Sequence, residues 1–502
     1  MASINTRSSV LAVVIEDTEG VLKEPSAGEF LSSQDDFSME GSFEDLENAE
    51  LKNSLGKAKS IRGSEAPTTS FSHYLRGSGT EGVAPNYSPL NKAAFGSENI
   101  KTTERDTIVG STVSAVNVDA GEGLEYQRGM GMLVKDSANG YSIRPVDSVA
   151  GDVLTPGFDL PSAPGTAVPL GKPVTWLPEN SNVHPTLSVH QYVGNGGARQ
   201  SMAGSRVTSL TASFAAGELI NANYSLEGIE YFFNPMTATA TDTKIDWTDD
   251  QGTAEATITA ETYKDPHELA SAISAAMNGQ TSETITVAYS DTTGKYTFTC
   301  TGAVFSMLWN TGANTANTLG DLVGFDVAAD DTGALTYEAD NAIDFSTGAL
   351  DISTDDSDPL AAKSNELLIG DADDLVCIDA STVEFSMSTP KKDILSICAS
   401  SGKSGSIINA REVEISVTAL LEKYDADRFR RFRENVDTKC LYNYGTKSGG
   451  NWVAGKCGFI YAPTTTITSF NVTDDDGLAT LEMTLKCFVN ADGDGEIYMG
   501  NL

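Results

Sequence analysis

The amino-acid sequence predicts a mainly β protein built from several domains. Short runs in which Thr, Val, Ile and Ser alternate recur along the chain, at the two-residue period of half-buried strands. These runs are cut at close intervals by 46 Gly and 17 Pro, the punctuation of hairpins rather than of long helices. With 502 residues, 40% of them hydrophobic and 21% charged, the chain can bury three or four cores and lacks the composition of a disordered protein.

The elements follow in order. Leu11–Ile15 reads as a first strand, too short for a signal segment or a membrane span, and an acidic, weakly periodic stretch runs from there to Glu50. Leu51–Gly63 and Pro67–Leu75 read as two strands, the second alternating at Phe71, His73 and Leu75. Leu90–Phe95, behind Pro89, reads as a short helix. Thr107–Val118, Met132–Val134, Tyr141–Pro145 and Asp152–Pro156 have the spacing of a small barrel, with a type I′ turn expected at Asn139-Gly140. Val207–Phe214 and Leu219–Leu226 flank Ala215-Ala216-Gly217 as a hairpin.

Between residues 240 and 335 the character changes. Ala254–Thr259 is a strand. Asp265–Met277 is the clearest helix, with Leu269, Ile273 and Met277 on one face, Asp265 as N-cap, Pro266 at the first position and Glu268 where a capping box needs it. Thr284–Ser290 and Lys295–Thr301 form a hairpin, Phe305–Trp309 an apolar run, and residues 340–370 an acidic linker with one or two edge strands. The last third is β again, at Ser381–Met387, Ile394–Ala399, Val413–Leu420, Lys456–Tyr461, Thr465–Val472 and Ala479–Phe488. It is interrupted by Asp425–Val436, where Phe429, Phe432 and Val436 share a face and Arg428, Arg430, Arg431 and Arg433 take the others.

One internal similarity stands out. Val207-Thr208-Ser209-Leu210 is echoed by Ile467-Thr468-Ser469-Phe470, and Gly217 and Gly477 follow at the same distance. The order of elements upstream also matches, including a short helix in each half. This predicts two copies of one β fold, one from residues 1–105 plus 185–235 and one from 371–502, with insertions at 106–184 (a small inserted β-barrel) and 236–370 (an inserted α+β module and acidic linker).

The formal net charge is −37. Such a surface repels phosphate backbones and anionic headgroups, so it argues against tight nucleic-acid or membrane binding. The charge is uneven: residues 1–50 carry 12 acidic and 2 basic side chains, and residues 236–370 carry 22 and 4. Cys300, Cys377, Cys398, Cys440, Cys457 and Cys487 form no close pair and His is rare, so no metal or cofactor is expected and the thiols read as free and buried in a reducing compartment.

Candidate catalytic motifs are fragments. Gly402-Lys403-Ser404 lacks the upstream Gly of a phosphate loop, since Ile397 stands in its place, and reads as a hairpin tip. Asp474-Asp475-Asp476-Gly477 and Asp492–Glu496 lack the twelve-residue ligand pattern of a calcium loop and read as acidic turns. His73, His184, His190 and His267 stand in no catalytic motif, so no enzyme is expected. The four arginines of 428–433 have two readings, a solvated helix face or an electrostatic contact with an acidic neighbouring subunit.

Several segments resemble tailed-bacteriophage tail tube proteins. Phe43–Gly63, Thr68–Gly77 and Leu90–Gly96 look like that family's opening. Thr107–Val118 with Tyr126–Val134, Tyr141–Val149 and Asp152–Pro164 is similar to a small β insertion of many members, and Val207–Gly228 to its hairpin. Gly252–Phe325 looks like a module appended to phage tail proteins.

The resemblance implies a tail-tube β-sandwich or half-barrel fold whose sheets join neighbouring copies into a closed ring. It implies rings of six folds, hence three chains if each holds two and six otherwise, stacked through long loops for which residues 1–50 are candidates. The implied function is a structural virion protein, assembled in the host cytoplasm, that forms the conduit for DNA ejection alongside a ruler and tail-end proteins. The alternative is a baseplate or adhesin component binding a host surface receptor through Tyr263, Tyr289, Tyr296 and Trp309 of the appended module at 240–335.

Overall fold

The computed structural model describes residues 9–34, 36–50, 53, 56–181, 183–194, 197–346, 357–421, 426–490 and 495–502. The protein is mainly β, with large sheets and one half-barrel. Its three described α-helices are α1 (Ser88–Phe95), α2 (Pro266–Asn278) and α3 (Ala426–Glu434). No helix among the described residues is long and apolar enough to cross a membrane.

The chain divides into two compact units. The first holds residues up to 12, 188–203 and 230–352. Its larger part is the α+β module. Lys244–Asp249 pairs on one side with Gly252–Thr257 and on the other with Phe305–Met307, while Ile285–Ser290, Lys295–Cys300 and Thr336–Glu338 form a second sheet. Between them Leu269, Ile273 and Met277 of α2 are buried with Trp247, Tyr296, Phe298, Trp309 and Phe325. The helix begins as its sequence dictates. Asp265 accepts a hydrogen bond from the Glu268 amide at 2.8 Å, and Pro266 fills the first position. Glu268 reaches one residue further back than a capping box requires, to the Lys264 amide at 2.5 Å.

The second unit holds residues 13–187, 204–229 and 353–502. Its main sheet includes eight strands that pair in succession: β1 (Ser38–Glu40), β2 (Thr68–Tyr74), β3 (Ala198–Ala215, from residue 204 onward in this unit), β4 (Asn221–Glu227), β5 (Ala380–Ser388), β6 (Glu412–Leu420), β7 (Asn451–Asp475) and β8 (Leu478–Cys487). Antiparallel registers run β1–β2–β4–β3–β5–β6–β8–β7. The first part of β7 carries the same sheet on, pairing with Thr438–Ser448 and Tyr498–Asn501, and Val174–Pro178 lies between Tyr498–Asn501 and Gly96–Ile100. The small β unit is a four-stranded sheet of Val116–Asn117, Val153–Pro156, Gly140–Ala150 and Gly131–Asp136. Arg144, buried in it, bonds the Asp159 carbonyl at 3.0 Å and Glu366 at 3.1 Å, and Glu366 also accepts from Asn443 at 2.8 Å. A buried charge is tolerated only with such partners, and these fasten the small sheet to the strands beneath it.

Several expectations need correction. Thr107–Val118 is no strand apart from Val116–Asn117, because Gly110 at φ 93° and a Thr112-to-Ala115 turn break the run. The Asn139-Gly140 turn is not type I′. Asp136 pairs with Gly140 across three residues, only Gly140 has positive φ, and Asp136 Oδ1 caps the amides of Ala138 and Asn139. Of Leu51–Gly63 only the end is strand, within Ile61–Glu65, and Leu51, Lys52, Ser54 and Leu55 lie outside the described residues. Ile394–Ala399 shifts to Lys391–Leu395, hairpinned with Lys403–Ile408. The strands expected at 456–461 and 465–472 are one 25-residue strand, since Pro463, which has no N–H to give, sits where the pairing slips between Thr438 and Cys440. Residues 347–356 of the acidic linker lie outside the described residues; on either side are Thr336–Glu338 and Glu366–Gly370.

Candidate assembly interface

The main sheet of the second unit has two different faces. Inward along its strands point Phe71, Leu210, Ala212, Phe214, Tyr224, Phe385, Val417 and Leu485, all buried. Outward point Ser70, Thr211, Ser213, Asn223, Ser225, Ser386, Ser416, Thr418, Asn471, Thr473 and Thr484, all partly or fully exposed. The glutamates of that face are Glu40, Glu227, Glu384, Glu412, Glu414 and Glu482, also exposed. Across strands Glu384 sits opposite Ser213 and Ser416, Glu412 opposite Ser388, and Glu482 opposite Thr418 and Asn471; Glu414 faces Lys486. The face is therefore short, hydroxylated and acidic. It offers phosphate no cationic row and offers bases no aromatic platform.

The same sheet is made of two matching halves. In the β3–β4 hairpin the register slips between Val207 and Ser209, and in the β7–β8 hairpin between Ile467 and Ser469. The skipped residues are Thr208 and Thr468. Each donates its hydroxyl across the strand, to the Ser225 carbonyl at 3.2 Å and the Thr484 carbonyl at 3.1 Å. Both hairpins turn through a glycine with positive φ, Gly217 and Gly477. β4 then pairs with β2 as β8 pairs with β6, and β2 pairs with β1 as β6 pairs with β5. Each half sends out a hairpin at the equivalent point: Phe43–Leu46 with Ile61–Glu65 between β1 and β2, and Lys391–Leu395 with Lys403–Ile408 between β5 and β6. Both carry exposed apolar side chains, Phe43, Leu46 and Ile61 on one, Ile394 and Leu395 on the other, with Ile397 at its tip.

The halves meet through β3 and β5, from Ser209–Ser388 to Ala215–Thr382. At the outer ends the registers of the described residues join β1 to β2, and residues 466–475 of β7 to β8. Among the described residues no strand is registered on the far edges of β1 and of that stretch of β7. Val472, on this second edge, is 56% exposed. An exposed edge with an apolar residue is a template for another strand.

The arginines lie beside β7, on α3. Phe429 of the helix meets Phe470 edge-on and Phe432 stacks on it, with ring centroids 5.5 and 6.0 Å apart. Arg431 is buried, held by Asp427 at 2.6 Å, Asp371 at 2.8 Å and Asp374 at 3.2 Å, and its hydrogen bond holds Asp371 below the usual carboxylate range. Arg430 pairs with Asp427 and Glu434, and Arg433 with Glu434, all exposed. Arg428 is half-buried on the same helix. The four are thus brought to one helix, but Arg431 is spent on tying α3 to the loop at 371–374, while Arg430 and Arg433 keep exposed faces.

The other candidates are placed as follows. Gly402 turns the 391–408 hairpin at φ 78°, and Lys403 is buried against Asp393 at 2.6 Å. Asp474 Oδ1 accepts from the Gly477 amide at 2.9 Å in a tight turn; residues 491–494 lie outside the described residues. Among the described residues no three His, Cys, Asp or Glu side chains cluster as metal ligands. Cys300, Cys440, Cys457 and Cys487 are buried free thiols, whereas Cys377 and Cys398 are exposed. The aromatics considered for receptor binding are core residues in Tyr263, Tyr296 and Trp309, leaving Tyr289 half-buried. A cleft of about 410 Å³ opens between Phe214, Tyr442, Leu420 and Leu478, lined mainly by apolar, hydroxyl and amide groups. Sequence reading missed the sheet edges, although the paired hairpin motifs were the signal for them. No protein-family model matches the chain, and no curated protein matches it.

Proposed function

We propose that the chain is a non-enzymatic structural subunit of a bacteriophage tail tube, two tube folds per chain, closing into rings that stack into a conduit for DNA. The observation that carries this reading is the run of eight paired strands: two matching halves joined edge to edge, with no strand of the described residues registered on the outer edge at either end. A sheet that already joins like to like inside one chain is suited to joining chain to chain, and closure removes its edges. Three chains then complete a ring of six folds. The hydroxylated, acidic face faces the lumen and lets DNA pass without holding it. The two projecting hairpins, with Phe43, Leu46, Ile61, Ile394, Leu395 and Ile397 exposed, bridge successive rings. Arg430 and Arg433 offer positive charge to an acidic neighbour.

Negative-stain microscopy of the purified chain over a range of concentrations tests the proposal. Hollow tubes or closed rings with rotational symmetry are expected. A chain that stays monomeric at the highest concentration defeats it.

A further inference from the structure

The two halves are alike enough to fix the register of the contact between copies. The shared slip aligns Val207 with Ile467 and therefore Ala212 with Val472. In the hairpins' return strands, Ser213 pairs with Asn221 and Thr473 with Thr480, which aligns Asn221 with Thr480. Asn221 faces Tyr74 and Thr480 faces Leu420, so β2 falls on β6. Ser70 of β2 then falls on Ser416 of β6. Their partners, Ser38 and Glu384, are related by the same offset in residue number, so the connection from β1 to β2 is as long as that from β5 to β6. That equality was not imposed by the hairpin alignment, and it makes β1 the counterpart of β5.

Inside the chain β5 closes the edge of β3, with Glu384 opposite Ser213, Phe385 opposite Ala212 and Ser386 opposite Thr211. Among the described residues no strand is registered on the counterpart edge of β7 or on the far edge of β1. Resting on the ring-forming reading above, we propose that β1 of a second copy of this chain closes β7 antiparallel in the register of the internal seam. Ser38 then stands opposite Thr473, Met39 opposite Val472 and Glu40 opposite Asn471.

Burial agrees with that pairing. Phe385 and Ala212, the internal counterparts, are buried at 0% and 1% exposure, whereas Val472 is left 56% exposed and Met39 half-exposed. Pairing covers both apolar side chains and leaves Ser38, Glu40, Asn471 and Thr473 on the polar face, where their counterparts already lie. A shift of one residue would turn Met39 to the polar face and Glu40 to the core, so the register is sharply specified.

Disulfide trapping tests this in the full-length chain with the exposed Cys377 and Cys398 changed to Ser. Met39→Cys with Val472→Cys places two thiols on one face of opposed residues, within reach of a disulfide. Glu40→Cys with Val472→Cys places them on opposite faces. Under mild oxidation the first pair is expected to give covalent multimers on a non-reducing gel and the second none. A separate Val472→Lys variant is expected to remain monomeric, with the circular dichroism and melting curve of the parent kept below the concentration at which it assembles, which separates lost pairing from lost folding. If rings or tubes form but the first pair does not crosslink, or the second crosslinks as well, the register is overturned while ring assembly stands. If the parent never assembles, both fail.

Discussion

His73 makes the stability of the first half depend on pH in a way that can be worked out beforehand. Its ring is 1% exposed, lying 5.4 Å from Tyr224 and 5.1 Å from Tyr87. Nδ1 is 3.0 Å from the Tyr74 carbonyl and donates to it, while Nε2 has no hydrogen-bond partner among the described residues. A proton added at Nε2 would create a buried, unpaired N–H on a charged ring. Burial accordingly lowers the pKa of His73 from 6.5 to about 4. The folded value lies below the unfolded one, so the unfolded chain binds the extra proton between these limits. Stability is full above pH 6.5 and falls as pH drops towards 4. At pH 5 an unfolded His is almost wholly charged and folded His73 almost wholly neutral, which amounts to a loss of about 2 kcal/mol relative to pH 7.5.

The perturbation is His73→Phe, which keeps a flat ring in the stack. It forfeits the bond to Tyr74 at every pH, about 1 kcal/mol, so only the pH-dependent part of the comparison tests the argument. Amide hydrogen exchange across residues 68–74 and 221–227 reads the local opening free energy without requiring this large chain to unfold in one step. After correction for intrinsic exchange, the parent should lose about 2 kcal/mol more than the variant between pH 7.5 and pH 5. Equal losses would refute the reasoning, because the desolvated imidazole would then contribute nothing to the acid response.

Three further outcomes are expected. Asp265→Ala removes the cap on α2 and should lower that module's stability by about 1 kcal/mol, read as faster exchange at the amides of Glu268 and its neighbours, with Asp265→Asn restoring most of it. Arg431→Met should cost about 2 kcal/mol in urea at pH 7, less than a fully buried pair because its three carboxylates are largely exposed. Since Asp371 and Asp427 are held below their ordinary range, that deficit should shrink as pH falls through their lowered values. Changing Glu384, Glu412, Glu414 and Glu482 together to Lys should turn a protein that passes freely over a DNA column into one that is retained, with a salt slope steepening by about 0.9 for each phosphate contacted.

How much of this was legible beforehand depends on whether the signal was local. The start of α2 was readable because Asp265, Pro266 and Glu268 act within one turn, and the Gly217 and Gly477 turns because only glycine accepts their backbone angle cheaply. The break expected near Pro463 was wrong for a non-local reason: in the register slip two residues of β7, Pro463 and Thr464, stand against one of the neighbouring strand, so the missing N–H falls outside the ladder. Alternation at Thr107–Val118 promised a strand that Gly110 and the following turn override. Of the arginine cluster, the sequence showed the charge but not its partners. Asp371 and Asp374 are distant in the chain, so nothing local distinguished buried Arg431 from exposed Arg433.

The edges were legible only through the repeat. A strand's alternation tells which side chains share a face, and says nothing about whether its far edge is occupied. The occupied case is in this chain: Ala212 of β3, buried under Phe385's strand, shows what its counterpart Val472 lacks. Both side chains are apolar, and the difference in exposure follows what lies beside them, a paired strand at Ala212 and none among the described residues at the far edge of Val472. An isolated exposed valine needs no explanation. A valine at the end of one half, where the other half is covered by a strand of known register, calls for the same strand from elsewhere. β1, equal in its connection to the covering β5 and with no described strand registered on its far side, is the strand this molecule has to give.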